Sequence, residues 1–137
     1  MKTETKPQTD RHCVMIVEDD AEFRSIVWHW LLPDYDTVTF GDGIELLASE
    51  QERVPSLIIM DVQLPGPNGF LLCQRVHEQA RFANVPVLFL TGVDSDEGFL
   101  MGMDAGGASY LTKPVERADL LARVRELVDV QADRMAN

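Results

Sequence analysis

Leu57-Ile58-Ile59-Met60-Asp61 constrains the fold more than any other stretch: four apolar residues in a row, then one carboxylate. Pro55 precedes the run, and Pro65, Gly66, Pro67 and Gly69 follow it. An apolar run this short, with breakers on both sides, reads as a strand buried on both faces. Such strands belong to parallel sheets covered by helices. In open parallel sheets, chemistry collects just beyond the carboxyl ends of the strands, and Asp61 stands there. A lone aspartate at that place is also an ordinary helix cap, so its meaning depends on what the other strand ends deliver.

The rest of the chain repeats the pattern. His12 to Val17 is a second apolar run and ends in Glu18-Asp19-Asp20. Phe23, Ile26, Val27, Trp30 and Leu31 then fall on one helical face, and Pro33-Asp34 closes that helix. Asp36 to Phe40 is a short β-branched strand; Gly41-Asp42-Gly43 turns the chain into a second helix, expected to about Glu52. After the Ser56 to Asp61 strand, a third helix is expected near Gly69, with Leu71, Leu72, Val76 and Ala80 inward. Val85 to Leu90 is a fourth strand, ending at Thr91-Gly92. Asp94 or Ser95 can cap a fourth helix to about Ala105; Gly98 and Gly102 inside it each cost about 1 kcal/mol relative to Ala. Ala108 to Leu111 is a fifth strand, followed by Thr112-Lys113-Pro114. The last helix is expected from Arg117 to Val130, with Leu120, Leu121, Val124, Leu127 and Val128 inward. Five strand–helix units of this spacing imply right-handed crossovers and one doubly wound parallel α/β domain. The expected division is a disordered leader over 1–11, the domain over 12–131 and a tail over 132–137.

Composition narrows the function. A chain of 137 residues that is 45% hydrophobic suits one packed domain. No apolar run approaches the roughly 20 residues that span a bilayer, and the polar stretch before His12 has no secretory h-region. The net charge of −11 argues against bulk binding to nucleic acid or anionic membranes. Cys13 and Cys73 fall inside predicted elements and read as free buried thiols in a reducing cytoplasm. No thiol and imidazole cluster suggests zinc.

The strand ends carry the chemistry. The first strand delivers Glu18, Asp19 and Asp20, the third Asp61, the fourth Thr91 and the fifth Lys113. Singly, each has a dull explanation as a cap or a surface charge. Together they make a cation site and a phosphoryl site. Clustered carboxylates repel unless a cation or a shared proton relieves them. Oxygen ligands with water favour Mg²⁺ over softer metals, and a lysine and a hydroxyl facing a carboxylate suit phosphoryl oxygens.

Four motifs, Val17-Glu18-Asp19-Asp20, Met60 to Gly69, Leu90-Thr91-Gly92 and Gly106 to Pro114, stand in one order and spacing. In that set the chain resembles the response-regulator receiver domains of two-component signalling, the CheY-like family, from about His12 to Val130. The resemblance implies a flavodoxin/CheY-like (βα)5 fold with strand order 2-1-3-4-5. It implies that Asp61 takes a phosphoryl group from a histidine kinase or phosphotransfer protein. Asp19, Asp61 and the backbone carbonyl of Gln63 would hold Mg²⁺ (or Mn²⁺ in its place), with Glu18 acting through a water. Lys113 would pair with Asp61 and then with a phosphoryl oxygen, and Thr91 would bond another. Pro114 matches a proline often preceded by a cis bond. Such a domain catalyses only its own phosphorylation and dephosphorylation.

Tyr110 occupies the family's switch-aromatic position, where a ring turns inward as Thr91 moves; the face of the fourth helix, fifth strand and fifth helix would carry the signal. The sequence departs from the family there. The common Gly-Ala-Asp-Asp-Tyr is here Gly106-Gly107-Ala108-Ser109-Tyr110, and Phe99 and Met101 stand where relatives often have basic residues. The salt-bridged dimer face of DNA-binding relatives would therefore be incomplete. Phe99 and Met101 either form an apolar contact or pack the helix on the sheet, giving a weak homodimer or a monomer. Trp28 lies off the predicted face of the first helix, which in this family meets the phosphodonor, and is expected to anchor that contact. His12, His29 and His77 read as incidental.

Rival readings are weaker. A haloacid-dehalogenase-like phosphatase wants a second acid two residues after its nucleophile, where this chain has Gln63. A nucleotide-binding enzyme lacks a glycine fingerprint after the first strand. A degenerate receiver used only as a scaffold conflicts with the complete set Asp19, Asp61, Thr91 and Lys113. With no room for an output domain, the chain is expected to be a cytoplasmic stand-alone regulator or a receiver cut from a longer protein. It would be read by a protein target or by the output domain of that longer chain.

Overall fold

A computed structural model describes residues 11–50, 53–66, 68–92 and 109–136. The elements are β1 (Cys13–Val17), α1 (Ala21–Leu31), β2 (Asp36–Phe40), α2 (Gly43–Leu47), β3 (Leu57–Asp61), α3 (Gly69–His77), a 3-10 turn (Ala80–Phe82), β4 (Val87–Thr91), β5 (Ser109–Thr112) and α4 (Arg117–Ala136). The fourth helix expected from sequence, with Gly98, Phe99, Met101 and Gly102, lies outside the described residues. The final helix is therefore α4.

The five strands form one parallel sheet in the order β2-β1-β3-β4-β5, as the resemblance implied. β1, β3 and β4 are buried along their whole length, which is why they read as unbroken apolar runs rather than alternating ones. Alternate residues still point to opposite faces. Met15, Val17, Ile58, Met60 and Phe89 pack under α2 and α3 with Leu46, Leu72 and Val76. Val14, Ile16, Ile59, Leu88 and Leu90 pack under α1 and α4 with Val27, Leu31, Leu120, Val124 and Val128. The sheet is thus covered on both sides, and every strand points its carboxyl end at one rim.

The helices α1, α2 and α3 each start on a side-chain cap. Asp20 accepts from the amides of Glu22 and Phe23, Asp42 from that of Glu45, and Asn68 from that of Leu71. Gly66 takes φ +72°, in the left-handed region that suits glycine, within the turn from Asp61 to α3.

Several expectations need correction. The buried line of α1 runs through Val27 and Leu31, with Phe23, Trp28 and Trp30 partly buried beside it. Ile26 lies farther round the helix and is 42% exposed. Trp28 is therefore half-buried packing and not an exposed residue off the apolar face. The helix α2 ends at Leu47, well before Glu52. Leu71 is exposed, because the inner line of α3 runs through Phe70, Leu72, Cys73 and Val76. The last helix continues to Ala136, so most of the expected tail is helical. Gln131 explains why: it is buried, and its side-chain amide donates to the Asn84 carbonyl at 3.0 Å, pinning the extra turns to the entry of β4.

Candidate functional site

Asp61 is the last residue of β3 and is 5% exposed. The strand register places it beside Leu90, and Thr91 ends the neighbouring strand beside Thr112. Lys113 follows directly, its amide donating to the Thr91 carbonyl at 2.7 Å, and the Lys113–Pro114 bond is cis. From the other side, the Glu18 amide donates to the Phe40 carbonyl just past β1. Backbone pairing alone therefore brings four strand ends and their polar residues together.

The side chains converge as well. Lys113 Nζ donates to Asp61 Oδ2 at 2.7 Å and lies 3.4 Å from Glu18 Oε1. The other carboxylate oxygen of Asp61, Oδ1, accepts from the Gln63 amide at 2.8 Å, a local turn that holds the carboxylate in place. Oxygens of Glu18, Asp19 and Asp61 all lie within 4.8 Å of one another. Glu18 and Asp61 are buried, while Asp19 is exposed. Asp20, the third acid of that run, belongs to the helix instead, as the cap of α1.

The charges are unbalanced. Burial pushes the Glu18 carboxyl up to about 7, and the Asp61 charge adds to that, against the lowering effect of the Asp20 amide and Lys113. For Lys113, burial works to lower the ammonium's proton affinity, but its bond to Asp61 and the charges of Asp61 and Glu18 outweigh it and raise the value. Three acids share one ammonium, so the cluster has room for further positive charge.

Residues beyond the sequence reading also shape the site. The Arg24 guanidinium donates to the Glu18 carbonyl at 2.6 Å. The Phe23 ring lies 4.9 Å from Lys113 Nζ. Gly69 starts α3 against the backbone of Asp61, and its amide donates to the Val62 carbonyl at 2.8 Å. From the sequence alone Phe23 is one member of a core stripe, and Gly69 is a breaker at a helix start.

The remaining sequence candidates are placed as follows. Thr91 is buried at the strand end, its hydroxyl 3.3 Å from the Gly92 carbonyl. Tyr110 is half-buried, its ring 5.7 Å from that of Phe89. Trp28 lines a cleft of about 200 Å³ with Arg24, Ser25 and Thr39. Phe99 and Met101 fall outside the described residues. His77 has a packing role: its Nε2 meets the Val85 carbonyl at 2.9 Å and ties the end of α3 to the segment before β4. Both cysteines are buried and neither is in a disulfide, as expected. Among the described residues, no histidine joins a group able to hold a metal.

The family model for the response regulator receiver domain matches residues 14–125. The DNA-binding dual master transcriptional regulator RpaA of Synechocystis sp. is 37% identical over 116 residues, 84% of this chain and 48% of RpaA. The aerobic respiration control protein ArcA of Escherichia coli is 36% identical over 116 residues, again 84% and 48%. The chain thus spans about half the length of these curated relatives. Among solved structures, the chemotaxis protein CheY4 of Vibrio cholerae matches with a TM-score of 0.80 at 31% identity, over 85% of this chain and 98% of that one.

Proposed function

The chain belongs to the response regulator receiver domain family, and from that premise we propose that Asp61 accepts a phosphoryl group from a phosphohistidine. The donor is a sensor histidine kinase or a phosphotransfer protein. A carboxylate oxygen of Asp61 bonds to phosphorus, the phosphorus–nitrogen bond breaks, and its electron pair leaves with the imidazole. Such a transfer needs positioning and charge neutralisation more than covalent machinery, and a carboxylate nucleophile needs no separate base. One observation carries the reading: Lys113 Nζ sits 2.7 Å from Asp61 Oδ2, inside a ring of carboxylates. There it can pass its hydrogen bond from the carboxylate to a phosphoryl oxygen. Thr91, buried at the next strand end, supplies a hydroxyl on the same rim.

The donor set fits Mg²⁺. Asp19 and Asp61 would hold it with the Gln63 carbonyl, and Glu18 would contribute through water; Mn²⁺ would serve as well. All of these are hard oxygen donors, and beside them burial, with a smaller contribution from the Asp61 charge, raises the proton affinity of Glu18. Bound Mg²⁺ supplies neutralisation of the phosphoryl oxygens.

The signal is read by a protein target or by the output domain of a longer chain, at the surface of β5 and α4; the helix expected before β5 lies outside the described residues. Tyr110, its ring tilted against that of Phe89, is the candidate switch ring. Arg123 donates to the Ser109 hydroxyl and to the Tyr110 carbonyl and pairs with Glu126. Its engagement within its own chain supports a monomer or weak homodimer. With a net charge of −11, this domain does not itself bind DNA. The proposed setting, next to a kinase or phosphotransfer donor, is the cytoplasm; no helix among the described residues is long and apolar enough to cross a membrane.

The test is incubation with Mg²⁺ and acetyl phosphate or phosphoramidate, followed by intact mass measurement. A labile phosphoryl adduct, absent in Asp61→Ala, is expected. No adduct on the wild type, or an undiminished one in Asp61→Ala, overturns the reading.

A further inference from the structure

Lys113 has a third neighbour besides its two carboxylates. The Phe23 ring lies over its ammonium at 4.9 Å, within the reach at which a ring face attracts a cation. How the ring gets there follows from the helix start. Asp20 caps α1 by accepting from the amides of Glu22 and Phe23, which makes Phe23 the third helical residue. Side chains on a helix lean toward its N-terminus, so a first-turn residue reaches back over the strand ends. Phe23 is also partly buried against the core cluster beneath α1 and α4, which restrains its side chain. The third helical position is where a glutamate or glutamine ordinarily completes a capping box. A carboxylate there would add to an already crowded acid cluster; a ring face instead meets the one ammonium in it.

We propose that Phe23 is a positioning residue for Lys113, holding the ammonium over Asp61 by the face of its ring. The inference rests on the phosphoacceptor reading above. Lys113 is about one-third exposed, and a long flexible side chain with that freedom gains entropy by swinging into water. Its partner at Asp61 weakens as the carboxylate becomes an acyl phosphate, while the ring contact does not change. The ring therefore keeps the ammonium in reach of the phosphoryl oxygens at the moment its first partner is lost.

The experiment separates ring electronics from bulk. Phenylalanines of increasing fluorination at position 23 keep the shape while weakening the negative face. The rate of adduct formation from Mg²⁺ and acetyl phosphate should fall stepwise, by about two- to five-fold across the series, the equivalent of a cation–π contact. Phe23→Leu should behave like the most fluorinated ring, and Phe23→Trp should restore the rate. A flat series on a protein whose wild type phosphorylates normally overturns this inference alone. Absence of any adduct on the wild type overturns the phosphoacceptor reading instead. A double-mutant cycle of Phe23→Leu with Lys113→Met, read by chemical unfolding, checks the contact without any turnover. Coupling between the two is expected, and strict additivity counts against the contact.

Discussion

A side chain on Gly69 would collide with Asp61: a Cβ there would lie 2.4 Å from the Asp61 carbonyl oxygen and 2.9 Å from the Val62 Cα. Both are backbone atoms at the end of a buried strand, so neither can turn aside as a side-chain tip would. Gly69→Ala must therefore shift α3 or the end of β3. A loss of about 1–3 kcal/mol in unfolding free energy is expected, as for other overpacked sites. Phosphoryl uptake by Asp61 should slow with it. Urea unfolding together with the acetyl phosphate assay measures both, and an unchanged midpoint would refute the close approach.

Adjacent acids at the end of β1 are expected to separate by role. Asp20 caps α1 through two amides, whereas Asp19 contributes its carboxylate to the converging group. Asp20→Ala should cost about 0.5–2 kcal/mol of stability and leave Mg²⁺ affinity largely intact. Asp19→Ala should do the reverse, abolishing detectable Mg²⁺ binding at a small effect on stability. Calorimetric metal titration beside thermal unfolding decides it; the assignment fails if the two variants behave alike.

The buried thiols should be silent in the native protein. Cys73 is fully buried at the centre of α3, and burial pushes its thiol up to about 11; burial also raises that of Cys13. Thiolate is the reactive form, so iodoacetamide at pH 8 should modify neither residue within the time it modifies a free peptide thiol. Both should react once urea unfolds the chain. Rapid native labelling at Cys73 would contradict the packing of α3 on the sheet.

How far the sequence revealed all this follows from what each level depends on. Strands such as Leu57 to Asp61 were legible because burial on both faces leaves an apolar run that no helix of that length produces. The polar residues of the site were legible because parallel topology sends every strand end to one rim, so Glu18, Asp61, Thr91 and Lys113 had to gather there. Helix faces were harder. Ile26 and Val27 are neighbours on one broad apolar arc, and only the packing of α1 against α4 and the sheet decides that Val27 goes in and Ile26 stays out. Leu71 and Leu72 pose the same problem. The helical end beyond Val130 depends on Gln131 finding the Asn84 carbonyl, a contact 47 residues away that no local pattern announces. Phe23 was seen as apolar but not as part of the site, because its partner Lys113 comes from a distant strand.

Glu18 gives the pH dependence its sign. Its carboxyl stands at about 7 in the folded protein against an ordinary value of 4.5, with burial as the leading cause. A carboxyl raised on folding binds more protons in the native state between those two values. Its contribution to stability is therefore greatest at and below pH 4.5 and is lost as pH rises toward 7. This runs opposite to the usual effect of paired carboxylates. In the presence of a chelator, urea unfolding at pH 5, 6, 7 and 8 should show stability falling through that window. Mg²⁺ competes with the same proton, so its affinity should rise with pH and level off above about 7, with proton release on binding below that. Titrations in two buffers of different ionisation enthalpy measure the released proton. A Glu18→Gln variant should lose the pH dependence of metal affinity, and its persistence in that variant would place the proton elsewhere in the cluster.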